Sequence, residues 1–214
     1  MKKIIIFGIG DFAQLATLYL EKTLNFEVEA YTLHKEYIVG DTCFGKPLIP
    51  FEEIEKTYPI SQYDMFVALG YKKKNSIKRE VFNLVKAKGY KLISYISPKA
   101  TVDINTTRIG ENCFIFDNVI IEPFAQIGDN VTIWGGAFIA HHTTVGSHCF
   151  IAPRAAIAGR VIIEESCFLG VNSTIRDNIK IAKQSVIGAG VVILKDTQAE
   201  GVYKARETFL PIKG

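Results

Sequence analysis

Four side chains in this sequence are built to exchange protons near neutral pH: His34, His141, His142 and His148. Three of them fall between residues 141 and 148. A neutral imidazole can serve as general base toward an amine or a hydroxyl. His141 and His142 are adjacent and do not easily face one metal ion, and Cys43, Cys113, Cys149 and Cys167 lack metal-type spacing. No metal site is expected. A second feature lies near the N-terminus, where Gly8-Ile9-Gly10-Asp11-Phe12-Ala13 opens a helical pattern. Glycines ahead of a helix suit a phosphate, because backbone N–H groups and the helix dipole point at it.

The histidine cluster sits inside a six-residue repeat. Stepping by six from Ile109 to Ile193 meets fifteen residues, all Ile, Val or Leu. Four residues after each aliphatic comes a mostly small side chain, Cys113, Cys149 and Cys167 among them, and Gly often follows the aliphatic directly. Neither a 3.6-residue helix nor a two-residue strand alternation produces this count. A prism with three flat faces does. Each unit supplies a short strand and a corner, with Gly or a polar residue making the turn. Three units close one coil, and five coils give a rod roughly 24 Å tall. The three cysteines are then reduced core thiols. His141, second after Ile139, falls on an outward corner, and Gly159 lies one coil on with no side chain to obstruct a ligand. The unbroken count between 109 and 194 leaves no room for a long lid loop.

The front half alternates strand and helix. KIIIFG (3–8), FEVEAYT and DMFVALG (64–70) read as strands, the stretches after Gly8 and over 75–89 as helices, and KLISYIS (91–97) as a last short strand. This predicts a small Rossmann-like α/β domain over 1–97, the prism over 98–194 and a tail over 195–214. The acid that a dinucleotide fold needs at the tip of its second strand is missing, where Tyr31-Thr32-Leu33-His34 stands, so NAD is not expected. A net charge of +3 and the single run Lys72-Lys73-Lys74 do not argue for nucleic acid. No stretch is long enough to span a bilayer, and the opening MKKIIIFGIG has no signal-peptide cleavage site. The cytoplasm is the expected address.

The repeat resembles the hexapeptide-repeat acyltransferases, whose left-handed parallel β-helices assemble as trimers. Together with the front domain, nearly the whole chain is similar to the sugar acetyltransferases of bacterial surface polysaccharides. These are the sialic-acid O-acetyltransferase and nucleotide-aminosugar N-acetyltransferase group. The resemblance implies a mixed fold, acetyl-CoA as acyl donor, a nucleotide-linked amino sugar as acceptor and a homotrimer with active sites between subunits. It places the general base at His141 within Ala140-His141-His142-Thr143-Thr144-Val145-Gly146, with His142 where an orienting acid often stands. It places the nucleotide at Gly8, Gly10, Asp11, Phe12, Gly70, Asn75 and Arg79, and CoA near Gly159, Gly170, Gly188 and Ala189. An acid is typical of UDP-binding members where Leu33 or His34 stands here. Trp134 and Phe150 replace an Asn and a second histidine, and Lys204 and Arg206 offer charge to CoA phosphates. Three readings follow: N-acetylation, O-acetylation by the same fold, or a non-catalytic trimeric binding protein. A zinc site of the γ-carbonic-anhydrase kind is disfavoured, since His148 falls on another corner and that family lacks a front domain.

Overall fold

The computed structural model describes residues 2–205; Arg206 lies outside them. The front domain is a sheet of five strands in the order β3-β4-β2-β1-β5. These are β1 (Lys2–Phe7), β2 (Phe26–Leu33), β3 (Thr42–Cys43), β4 (Lys46–Pro50) and β5 (Tyr63–Val67). All pair in parallel except β3, which meets β4 antiparallel. The continuous apolar run Ile4–Phe7 is buried throughout, as a central parallel strand requires. Helix α1 (Asp11–Leu24) buries Ala13, Ala16, Thr17 and Leu20, the spacing of one helical stripe, and a short helix, α2 (Ile54–Thr57), precedes β5. Helix α3 (Ser76–Ala87) buries Lys78, Val81, Phe82 and Val85 in the same spacing, so an ammonium sits on an apolar stripe.

The segment KLISYIS divides instead of forming one strand. Leu92 bridges to Met65 in the front sheet, and Tyr95–Ile96 (β6) already pairs with the prism. Ser94 turns the chain between them, its hydroxyl accepting from the Cys113 N–H and donating to the Gly110 carbonyl. The boundary therefore falls near residue 93, ahead of the expected 97.

The prism has three parallel sheets of six, five and seven two-residue strands. All fifteen aliphatics of the repeat are the inner residue of a strand, from Arg108–Ile109 to Val192–Ile193. Two earlier strands, Tyr95–Ile96 and Thr101–Val102, and a later one, Val202–Tyr203, extend the stack. Six strand spacings along the seven-stranded sheet give about 29 Å, taller than the expected rod. Part of the expected tail is thus one more rung. Cys113, Cys149 and Cys167 point inward and are wholly buried, each thiol donating to a carbonyl in the next coil.

The corners turn differently from expectation. The left-handed residue is the third after each aliphatic, as at Asn112, Asn130, His142 and Asn178, with φ between 53° and 57°. Gly110, Gly128, Gly146 and Gly170 have ordinary φ. They are small because a Cβ there would lie within 2.3–2.8 Å of atoms in the next coil. Their role is close stacking.

The front domain packs on the face carrying Phe114, Thr132, Phe150 and Phe168. Phe12 meets Phe114 edge-on and Trp134 at 5.9 Å, and Tyr71 lies 4.4 Å from the Phe168 ring. The corner beside that face is polar and buried. Asn112 exchanges hydrogen bonds with the Val67 main chain, and Asn130 donates to the Lys78 carbonyl and to His148 Nδ1. Lys78 Nζ donates to Thr132 Oγ1 at 2.8 Å. Burial lowers the Lys78 ammonium to about 8 and the His148 imidazole to about 4, with the neighbouring Lys78 cation pressing His148 further down. His148 is therefore a neutral structural histidine.

Candidate active site

His141 sits on the corner that follows the strand Phe138–Ile139. Its main chain is pinned from both sides. The backbone N–H donates to the Glu122 carboxylate one coil back at 2.8 Å, and the carbonyl accepts from the Arg160 N–H one coil on. Inward Thr143 closes the corner by donating to the Ala158 carbonyl. The imidazole is left exposed, the Cε1 side of its face over Gly159. A Cβ built on Gly159 would lie 2.8 Å from His141 Cε1 and 3.1 Å from Nε2. Nδ1, 3.3 Å from the same Cβ, lies 3.2 Å from His142 Nδ1. The Gly159 N–H donates to no protein group among the described residues. A proton acceptor and a free N–H donor thus share one open corner, as attack on a thioester requires.

A second candidate site lies in the front domain. Ile9, Gly10, Asp11, Phe12, Leu33, Ala68, Leu69, Gly70 and Lys72 line a cavity of about 380 Å³ at the N-terminus of α1. Gly8 lies buried beneath it with φ 127°, and a Cβ there would strike the Ala68 carbonyl at 2.7 Å. Gly10 caps the helix without a side chain, leaving the first N–H groups open. A further cavity of about 740 Å³ opens beyond β2, lined by His34, Tyr37, Glu52, Lys73 and Ile77 among others. Glu52 accepts from the Lys35 N–H at 3.0 Å and pairs with His34 Nδ1 at 2.8 Å. An acid therefore stands beside the tip of β2 after all, brought there from the end of β4.

Profiles for the bacterial transferase hexapeptide match residues 106–141 and 125–159, and one for the hexapeptide repeat of succinyl-transferase matches residues 160–195. The prism thus matches hexapeptide-repeat models of transferases along residues 106–195. Solved structures agree over nearly the whole chain. The acetyltransferase domain of PglB from Neisseria gonorrhoeae, in complex with acetyl coenzyme A, superposes with TM-score 0.81 at 22% identity, covering 91% of this chain and 92% of that one. PerB from Caulobacter crescentus, in complex with CoA and GDP-perosamine, gives 0.79 at 24%, covering 94% and 91%. WeeI from Acinetobacter baumannii gives 0.81 at 17%, covering 93% and 94%. The fold is the left-handed parallel β-helix behind a small α/β domain. No curated protein matches the sequence.

The hexapeptide domain distributes the expected residues unevenly. His141, His142 and Gly159 come together. Gly170, Gly188 and Ala189 occupy a different corner, next to the face that carries the front domain. His141 lies on the corner opposite that face. Gly10, Asp11, Phe12 and Gly70 line one cavity. Asn75 does not join them: it is fully buried between the domains, its amide donating to the Ser166 and Cys167 carbonyls at 3.4 and 3.2 Å. Arg79 turns to Glu165 at 3.9 Å. Both residues dock the domains, because α3 presents its start to the prism. Lys204 is exposed just beyond the last rung and Val202 pairs into it. Among the described residues no helix is long and apolar enough to cross a membrane.

Proposed function

We propose that the chain is an acetyl-CoA-dependent N-acetyltransferase of a nucleotide-linked amino sugar in bacterial surface-polysaccharide biosynthesis, with His141 as general base. The observation that carries this reading is the His141 imidazole lying over Gly159 at an open corner, where the Gly159 N–H donates to no described protein group. The sugar amine attacks the thioester carbonyl, and the Gly159 N–H donates to the developing oxyanion. His141 Nε2 takes the proton from nitrogen as the tetrahedral intermediate forms. The C–S bond then breaks and the proton passes to sulfur, giving the N-acetyl sugar and CoA thiol. No covalent enzyme intermediate is needed.

The nucleotide fits the cavity at Gly10 and Gly70, where open N–H groups of α1 suit a diphosphate. That cavity and His141 lie on opposite sides of one prism, so the chain's own histidine does not face its own nucleotide. This supports a homotrimer whose sites combine two copies, with CoA between prisms beside Gly170, Gly188 and Ala189. PglB and PerB, similar in fold, are described with acetyl coenzyme A and with CoA plus GDP-perosamine.

The test is thiol release from acetyl-CoA against a panel of nucleotide-linked sugars. Turnover with an amine acceptor, lost in His141→Asn while the oligomer stays intact, is expected. Turnover with hydroxyl acceptors alone moves the reading to O-acetylation. No release with any acceptor, and no CoA binding, leaves a non-catalytic binding protein.

A further inference from the structure

Asparagine is the commonest residue at the left-handed corner positions of the prism: Asn112, Asn118, Asn130, Asn172 and Asn178 all have φ between 53° and 59°. Asparagine tolerates that conformation better than most side chains. The corner carrying His141 places aromatic rings at this position in two successive coils. Phe124 has φ 68° and His142 φ 57°, eighteen residues apart and one above the other. A bulky side chain in this region is strained. Phe124 is also 54% exposed, so burial does not offset the strain.

What Phe124 touches is the His142 ring, at 4.9 Å between centroids and a tilt of 36°. His142 in turn sets its Nδ1 3.2 Å from Nδ1 of His141. One proton lies between those nitrogens. If His142 supplies it, His141 carries its own proton on Nε2 and offers no base toward Gly159. If His141 supplies it, Nε2 is bare and can accept a proton. No carboxylate competes for the ring by hydrogen bonding, since Glu122 is engaged by the main-chain N–H of His141.

We infer that His142, held by Phe124, is the positioning residue of the site: its Nδ1 accepts the Nδ1–H of His141 and leaves the His141 Nε2 lone pair free to take the substrate's proton. This rests on His141 being the base. A neutral acceptor orients the ring without adding negative charge behind it. Such a base suits an amine, which is partly unprotonated near neutral pH and sheds its proton only after attack. A hydroxyl asks for a stronger base, so the pair selects amine acceptors.

Asparagine is the informative replacement, because its Oδ1 sits where His142 Nδ1 does and it accepts the left-handed backbone. His142→Asn retains kcat, whereas His142→Leu loses roughly 10- to 100-fold in kcat with KM for both substrates unchanged. Phe124→Asn melts at a higher temperature yet turns over more slowly, which a purely structural residue does not do. The tautomer is read directly by long-range ¹⁵N–¹H correlation on ¹⁵N-histidine-labelled protein, which has four histidines to assign. His141 is Nδ1–H in the parent and in His142→Asn, and shifts to Nε2–H in His142→Leu. An Nε2–H tautomer at His141 in the parent overturns the inference, as does full kcat in His142→Leu. The tautomer measurement needs no turnover and no variant, so it decides the inference even where thiol release fails or His142→Leu does not fold.

Discussion

Gly159→Ala isolates the geometry of the base from the chemistry of the base itself. The added Cβ would lie 2.8 Å from His141 Cε1, where ordinary contact begins near 3.4 Å, so the ring must retreat by about 0.6 Å. Gly159 has no left-handed φ, and alanine is compatible with its backbone. Removing glycine's freedom in the unfolded chain contributes about 0.4–1 kcal/mol of stability, which offsets the cost of displacing an exposed ring. The melting temperature should hardly move. Catalysis is less forgiving: a 1 Å misplacement costs on the order of 100-fold, so 0.6 Å scales to roughly 10- to 30-fold. That corresponds to about 1.4–2 kcal/mol in the barrier. The assay is initial-rate thiol release with acceptor saturating and acetyl-CoA varied. A kcat within about twofold of the parent, at equal melting temperature, would falsify the placement of the base over Gly159.

Three further outcomes follow from the interface and from the two-sided layout. Lys78→Met should stabilise the protein near pH 7: holding the ammonium at about 8 instead of 10.5 costs about 3 kcal/mol, against roughly 1 kcal/mol for the lost Thr132 hydrogen bond. Because the folded pKa is depressed, that cost is full below pH 8 and fades toward pH 10.5, so urea midpoints of the two proteins should converge between those values. His148, held near 4 against an ordinary 6.5, makes stability fall as pH drops through that window; His148→Asn, matched to the left-handed corner at φ 64°, should flatten the fall. Mixed oligomers of inactive His141→Asn and an inactive front-cavity variant, Gly10→Glu, should regain part of the activity after co-refolding. No regain in proven hetero-oligomers means each site is built within one chain.

The prism was legible because its count has one solution: fifteen aliphatics at six-residue spacing place Ile139 inside, His141 outside and Gly159 one coil on. The spacing could not say why Gly110 or Gly146 is glycine. The left-handed corner lies two residues later, and the close approach of the next coil appears only when coils are stacked. It could not say which face the front domain covers, so Asn75 and Arg79 read as ligand residues while the structure spends them on docking. Glu52 was hidden for a related reason. The sequence distance from β2 to β4 says nothing about their adjacency, and the acid reaches the strand tip through a parallel pairing. KLISYIS shows the limit of local pattern, since one alternating run serves two sheets.

Between Arg108 and Ile193 successive coils pair residues eighteen positions apart, and that arithmetic constrains how the molecule can change. Losing one residue from a coil would turn every later inward aliphatic outward, whereas losing eighteen removes a storey and leaves the rest in register. The count is broken only near the ends, between Val102 and Ile109 and between Ile193 and Val202. The level of the His141 corner along the axis, relative to the rungs that the front domain touches, is therefore adjustable only in quanta of about 4.8 Å. Fine tuning of reach must then come from the α/β domain and from side chains at the corners, while the shaft between them works as a ruler with fixed divisions.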